Sequence, residues 1–170
     1  MKSLIKETTS DLWETPQNLF DYIENMYKYF QIDLCANKDN TKCVKWVEDI
    51  KEFSETNKIH YDRAWVNPPY SKMKEVSEAC FKLLEDNQID NIAMLIPSTR
   101  TEQEWFKKLF LYVSEGYFIQ PRIKFELNGK PGQSNNHPSM LLYLDKYHDS
   151  SVSSFSILDL RETLYKREKR

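Results

Sequence analysis

Residues 92–96 read IAMLI, five apolar side chains in a row, and Pro97 closes the run. Successive strand residues point to opposite faces, so an unbroken apolar strand needs a covering layer on each side. The chain therefore has to build a sheet with helices on both faces. The flanking sequence offers them. Residues 71–87 place Met73, Val76, Cys80, Leu83 and Leu84 at helical spacing. Thr101-Glu102-Gln103-Glu104 has the form of a capping box ahead of Trp105, Phe106, Leu109, Phe110 and Val113. Upstream, Thr15-Pro16 reads as N-cap and first helical residue. Leu19, Phe20, Ile23, Met26, Tyr27 and Phe30 then share one face.

Further strands are expected at 32–35, around Val44, Trp46 and Val47, at 63–67 and at 116–119, with a short charged helix at 49–53. Residues 123–127 and 140–144 predict an antiparallel pair around an irregular loop, 128–138. Strands alternating with helices indicate an α/β fold, its sheet mostly parallel with an antiparallel C-terminal hairpin. The expected organisation is one domain over 1–170, with a core at about 11–147 and a tail at 148–170. In such sheets ligands bind beyond the carboxyl ends of the strands. Residues 33–37, 67–70 and 97–100 should therefore share one edge.

Hydrophobic content of 40% with 14% aromatics rules out a disordered chain. A net charge of −2 gives no bulk signal for nucleic acid, so any such contact has to be a local patch. Cys35, Cys43 and Cys80 are odd in number and lack a Cys-x-x-Cys pair, which points to reduced thiols in an intracellular compartment and to no metal site. No apolar run reaches membrane-spanning length, and MKSLIKETTSDLW lacks the apolar core of a signal peptide.

The turn after the 63–67 strand carries the chemistry. Residues 64–72 read AWVNPPYSK, and neither proline can extend a central strand, since each lacks the N–H that the ladder needs. Read plainly, Asn-Pro-Pro is a rigid turn and Tyr70 an aromatic cap. A Pro-Pro-x-Tyr ligand motif is excluded, because Ser71 stands where its tyrosine would be. The arrangement suits methylation of a conjugated amine. The nitrogen of an adenine amino group or a carboxamide is a poor nucleophile, because its lone pair is delocalised. Two acceptors aimed at its N–H bonds draw it toward tetrahedral geometry and turn the lone pair toward an electrophilic methyl. Asn67 offers its side-chain oxygen and Pro68 its carbonyl. Pro68 and Pro69 fix the angle of that carbonyl before reaction begins. Tyr70 offers a ring on which a base stacks, worth about 1–3 kcal/mol. That role needs the ring and not the hydroxyl.

Asn67-Pro68-Pro69-Tyr70 resembles the (D/N/S)PP(Y/F) motif of S-adenosylmethionine-dependent amino-methyltransferases, which act on DNA adenine, RNA guanine or a protein glutamine. Four stretches in order, LWETPQNLFDYI, DLCANKDNTKC, WVNPPYS and PRIKFELNGKPGQSNNHPSMLLYL, resemble the phage-type DNA N-6-adenine methyltransferase (Dam-like) family over residues 11–147. The resemblance implies a compact Rossmann-like methyltransferase sheet lacking a separate target-recognition domain. It implies S-adenosylmethionine as cofactor, DNA as substrate, methyl transfer to N6 of adenine, and no metal or membrane partner. For a phage-encoded chain it implies the cytoplasm of a bacterial host. Catalytic roles fall on Asn67, Pro68, Pro69 and Tyr70. Thr15 and Pro16, with Glu14 and Trp13 before them, match the segment against the cofactor's methionine end. Asp33 matches the acid that receives the methionine ammonium. Cys35, Ala36 and Asn37 match the small-residue loop beside it, with Asn67 on its border. The usual Gly-x-Gly is absent there, since none of the three glycines lies in that loop. The ribose-contacting acid is Glu48, Asp49 or Glu52.

Arg122, Lys124 and Lys130 are expected DNA contacts around the C-terminal hairpin, with residues 128–138 gripping DNA; off DNA they are solvated strand residues. Plain structural readings stand beside the others. Asp33 can be a surface strand-end acid, Trp13 a core plug and residues 98–100 part of a helix cap. The alternative acceptors are RNA and a protein glutamine. A nucleic-acid-binding relative that kept the fold without activity is the alternative outside enzymes. The missing glycines favour that alternative, and the intact Asn-Pro-Pro-Tyr favours catalysis.

Overall fold

The computed structural model describes residues 9–164, apart from the side chains of residues 9, 10, 133 and 134. The elements are α1 (Gln17–Tyr27), β1 (Ile32–Asp33), β2 (Lys45–Trp46), α2 (Ile50–Thr56), β3 (Tyr61–Val66), α3 (Met73–Glu85) and β4 (Ile89–Pro97). They continue with α4 (Glu104–Phe110), β5 (Val113–Gln120), β6 (Lys124–Leu127), β7 (Lys130–Ser134), β8 (Ser139–Asp145), β9 (Ser154–Asp159) and α5 (Leu160–Thr163). Seven strands form one sheet in the order β2-β1-β3-β4-β8-β5-β9, and β6 and β7 form a separate ribbon. Within the main sheet only β8 runs against its neighbours, β4 and β5. The fold is the expected α/β class, with a mostly parallel sheet.

The IAMLI stretch shows why. Ile92, Met94 and Ile96 join the core formed with α2, α3 and α4, whereas Ala93 and Leu95 join the core formed with α1 and α5. Trp65 of β3 faces the α1 side, against Phe20 and Phe30. Ala64 and Val66 face the other. The period-two alternation is thus filled on both faces. On the outer strands, Gly116 of β5 lets the Phe155 ring of β9 lie flat on the sheet: a Cβ there would sit 2.1 Å from that ring.

Several expectations are corrected. Residues 123–127 do not pair with 140–144. Asn128 and Gly129 both have positive φ, 52° and 70°, which folds β6 directly back onto β7. This is the preference of a two-residue primed hairpin, and Asn-Gly is its strongest sequence signal. The apolar β8, freed from that pairing, inserts between β4 and β5. The 148–170 tail is not a tail throughout. β9 pairs in parallel with β5, and Leu158 and Leu160 are buried. The Thr101 capping box does not form. Residues 98–100 make a 3₁₀ turn off Pro97, Thr101 stays in the αR region, and the extended Gln103 takes the N-cap position without a side-chain bond. Val113 begins β5 instead of closing α4. At α1, Pro16 and not Thr15 occupies the N-cap position; its carbonyl accepts from Leu19 and Phe20. Among the described residues no helix is long and apolar enough to cross a membrane.

Candidate active site

β1, β3, β4 and β5 run the same way, so their carboxyl ends meet at one edge of the sheet. β8 runs the opposite way, so it enters at that same edge, with Ser139 paired to Pro97. The loops 34–42, 67–70 and 98–100, the ribbon and the 135–138 segment are brought together by this topology alone. The ribbon is further clamped to the edge. Glu14 and Glu126 exchange backbone bonds of 2.8 and 2.9 Å, and the Trp13 and Phe125 rings meet at 5.8 Å.

Asn67 follows the last residue of β3 and stands half-buried. Its Nδ2 donates to Thr15 Oγ1 at 3.1 Å. Thr15 is 2% exposed, so this partner is fixed. The bond orients the amide: with the nitrogen held on Thr15, the oxygen is left as an acceptor on a residue that lines two cavities at this edge. Thr15, displaced one residue from the cap position it was expected to fill, has this job instead. Thr15→Val should leave Asn67 Nδ2 unpaired and the amide able to rotate. Turnover of a reaction that uses the Asn67 amide should fall by at least about tenfold, while Thr15→Ser should retain it; single-turnover rates of the two variants check this.

Three adjoining cavities line the edge. A slot of ≈20 Å³ is bounded by Asp11, Trp13, Asn67, Pro68, Pro69, Tyr70 and Phe125. A second, of ≈40 Å³, brings Trp13, Thr15, Asp33, Cys35 and Asn67 together. The third is a groove of ≈520 Å³ along Cys35, Ala36 and Asn37, with Ile50 and Val76 as apolar walls and Glu48 and Asp49 at its rim. Pro16 lines none of the three. Glu52 is absent from the groove lining, and its amide is what Asp49 Oδ1 accepts from at 3.0 Å. Arg122, Lys124 and Lys130 are all exposed, on the ribbon and the segment leading into it.

Asp33 is not a surface acid. It is 3% exposed. Oδ1 accepts from the Cys35 amide at 3.3 Å and Oδ2 from the Lys42 amide at 3.0 Å. Burial pushes its carboxyl up to about 6, and the Lys42 and Cys35 amides, followed by the Lys42 charge, only partly oppose this. A buried carboxylate so poorly compensated is a partner for a cation. The loop it organises turns without glycine, since no residue between 34 and 42 has positive φ. Asn37 closes it by accepting from the Asp39 and Asn40 amides. Burial raises the Cys35, Cys43 and Cys80 thiols, so none is poised as a thiolate nucleophile. Among the described residues, His60, Asp62 and Asp90 are grouped with metal-like spacing. They lie at the opposite edge, where the strands begin, and Asp90 also faces Lys146 at 3.8 Å.

A family model described as DNA N-6-adenine-methyltransferase (Dam) matches residues 2–169. The chain belongs to that family. A DNA N-6-adenine-methyltransferase of Escherichia phage T1 is 28% identical over 128 residues, covering 72% of this chain and 50% of that protein. A protein of the same description from Haemophilus phage HP1 (strain HP1c1) is 29% identical over 173 residues, covering 95% of each. The match thus spans half the length of the T1 protein and nearly all of the HP1 protein.

In this Dam-family chain the edge also holds residues that sequence reasoning missed. Asp11 borders all three cavities and accepts from the Ser71 amide at 3.1 Å, tying the N-terminal segment to the Asn-Pro-Pro-Tyr turn. Phe125 walls the slot from the ribbon. Asn135 is 2% exposed and bonds its Nδ2 to the Tyr70 hydroxyl, and His137 meets the Tyr70 ring edge-on at 5.9 Å. Burial raises the Tyr70 phenol, opposed by Asn135 and then Ser139. The Ser139 hydroxyl lies beside it without completing a well-formed bond. The polar run Asn135-Asn136-His137 ahead of β8 was the available signal, yet only the topology shows where it lands.

Proposed function

We propose that this Dam-family chain methylates N6 of adenine in DNA, with S-adenosylmethionine as the methyl donor. The observation that carries the reading is the Thr15–Asn67 bond: it holds the amide nitrogen and leaves the amide oxygen to accept, and Pro68, on the same slot, offers its carbonyl as the second acceptor for one amino group. The groove and Asp33 fit such a donor. Asp33 supplies the buried carboxylate for an ammonium, Ile50 and Val76 the apolar walls for a flat ring, and Glu48 or Asp49 a ribose acceptor. When bound, the donor supplies an electrophilic methyl on a sulfonium. The chain's own residues do the rest. Asn67 Oδ1 and the Pro68 carbonyl accept hydrogen bonds from the two amino N–H groups and turn the nitrogen lone pair outward. Pro69 holds that geometry, and Tyr70 stacks the extruded base. Asn67 is a poor base, so the proton leaves to water after the N–C bond has formed, the S–C bond has broken to leave a neutral thioether, and the amine has become acidic. No covalent enzyme intermediate is needed. Trp13, on both small cavities, lies between base and donor.

DNA docks on the ribbon in this reading, through Arg122, Lys124 and Lys130. Replacing all three with alanine should weaken binding uniformly across sequences and reduce the slope of log affinity against log salt by about 1 per residue. A titration in which the slope is unchanged places docking elsewhere. The free thiols, of which Cys43 and Cys80 are buried, suit a bacterial host's cytoplasm. The test of acceptor class is incubation of the protein with labelled S-adenosylmethionine and, separately, duplex DNA, RNA and unfolded protein. Label in DNA alone is expected. Label in RNA or protein alone would replace this reading.

A further inference from the structure

The Asn128–Pro138 stretch was read as a grip on DNA, but its Asn135 turns inward. Three bonds define its place. The Asn135 amide donates to the Ile123 carbonyl at 3.1 Å, and Asn135 Oδ1 accepts from the His137 amide at 3.1 Å. With the oxygen so occupied, Nδ2 is the group that meets the Tyr70 hydroxyl. The two residues are 65 positions apart in sequence. The slot beside Asn67 and Tyr70 measures ≈20 Å³, room for about one water and not for a base. Base entry therefore has to shift a wall. The Tyr70 wall is tied at its far end by a buried amide, and the same amide sits directly after β7, the outer strand of the ribbon.

We propose that Asn135 is a positioning residue for methyl transfer: through the phenol oxygen it fixes the direction of the Tyr70 ring's long axis and couples that ring to the ribbon. The inference rests on the reading of Asn67 and Tyr70 as the methyl-transfer site. It changes one expectation. The hydroxyl of Tyr70 matters as well as the ring, because without it the ring is free to tilt and Asn135 Nδ2 is left buried and unpaired. A simple loop anchor would show no dependence on Tyr70.

A double-mutant cycle separates the two. Single-turnover methylation should slow roughly tenfold in Asn135→Ala and in Tyr70→Phe, because misplacement of a reacting group is costly. The double variant should be no slower than either alone. Donor affinity should stay within about twofold throughout, since neither residue lines the large groove. Effects that multiply, or a wild-type rate in either folded variant, would overturn the proposal. Thermal melting establishes folding, and if Asn135→Ala does not fold, a wild-type rate in Tyr70→Phe is sufficient to overturn it. A pool of random-sequence duplexes carrying 2-aminopurine in place of adenine on one strand reports base extrusion without methyl transfer. If the wild type brightens this probe but transfers no methyl, the methyltransferase reading fails. The coupling of Asn135 to the Tyr70 ring, as a device for holding an extruded base, then stands on loss of brightening in both single variants and falls if brightening persists. If the wild type does neither, both fall.

Discussion

Asn67→Ala should lower the single-turnover rate of adenine methylation by about 10²–10³, the scale of removing one preorganised polar group from a reacting centre, while donor affinity hardly changes. The loss falls on turnover because the acceptor's interaction strengthens as the amine becomes tetrahedral; an interaction realised only in the transition state appears in the rate and not in ground-state binding. Folding should survive. Asn67 is half-buried, and among the described residues its side chain bonds to Thr15 alone. The comparison with Thr15→Val is informative. That variant keeps the amide but loses its orientation, so its rate should lie between wild type and Asn67→Ala. An Asn67→Ala protein that turns over at the wild-type rate would reject the site.

Donor binding should depend on pH through Asp33, and in the direction opposite to stability. The folded carboxyl is raised to about 6 from an ordinary value of 3.8. Between those values the folded state holds more protons than the unfolded one. Stability from this group is therefore present at low pH and lost as pH rises through about 6. An ammonium ligand needs the ionised form, so affinity for S-adenosylmethionine should rise with pH over the same window and level off above about 7. Below 6 it should fall toward about tenfold per pH unit. Calorimetry from pH 5 to 7.5, with melting measured alongside, shows whether the two trends cross. Asp33→Asn should flatten both curves and weaken binding by at least about tenfold at pH 7.5, the loss of a charged partner. It also deprives one of the Cys35 and Lys42 amides of its acceptor, so the wild-type pH profile is the cleaner result. A flat wild-type profile would remove Asp33 from the donor site.

How much of this was legible before the fold was known depends on range. The sandwiched sheet was readable because IAMLI alternates between two covered faces and its neighbours carry helical spacing. The Asn-Pro-Pro-Tyr turn was readable because two prolines after a strand leave few conformations. β8 was harder. Its apolar run fits an antiparallel hairpin partner as well as an interior strand, and only the Asn128-Gly129 turn, which satisfies β6 locally, decides between them. That turn was there to be read. β9 was hidden by the serines before it, which resemble a boundary, and by a short SFSILD pattern whose exposed face is itself apolar at Phe155 and Ile157. Thr15 illustrates a different limit. Its type suits a cap, yet its hydroxyl partner lies 52 residues away. Asn135 and Asp11 share that limit, because their contacts to Tyr70 and Ser71 exist only once β8 and the N-terminal segment reach the same edge. The missing glycines have a local explanation: the loop after Asp33 never enters positive φ, so its backbone turns without them.

The most direct test of the central claim is the identity of the modified nucleoside. Duplex DNA free of methylated bases is treated with wild-type protein or Asn67→Ala and S-adenosylmethionine, digested to nucleosides and resolved by mass spectrometry. The account predicts N6-methyladenine as the product of the wild type, with the variant forming it at a rate lower by about 10²–10³. Methyl on cytosine, or equal N6-methyladenine formation by both proteins, would contradict it.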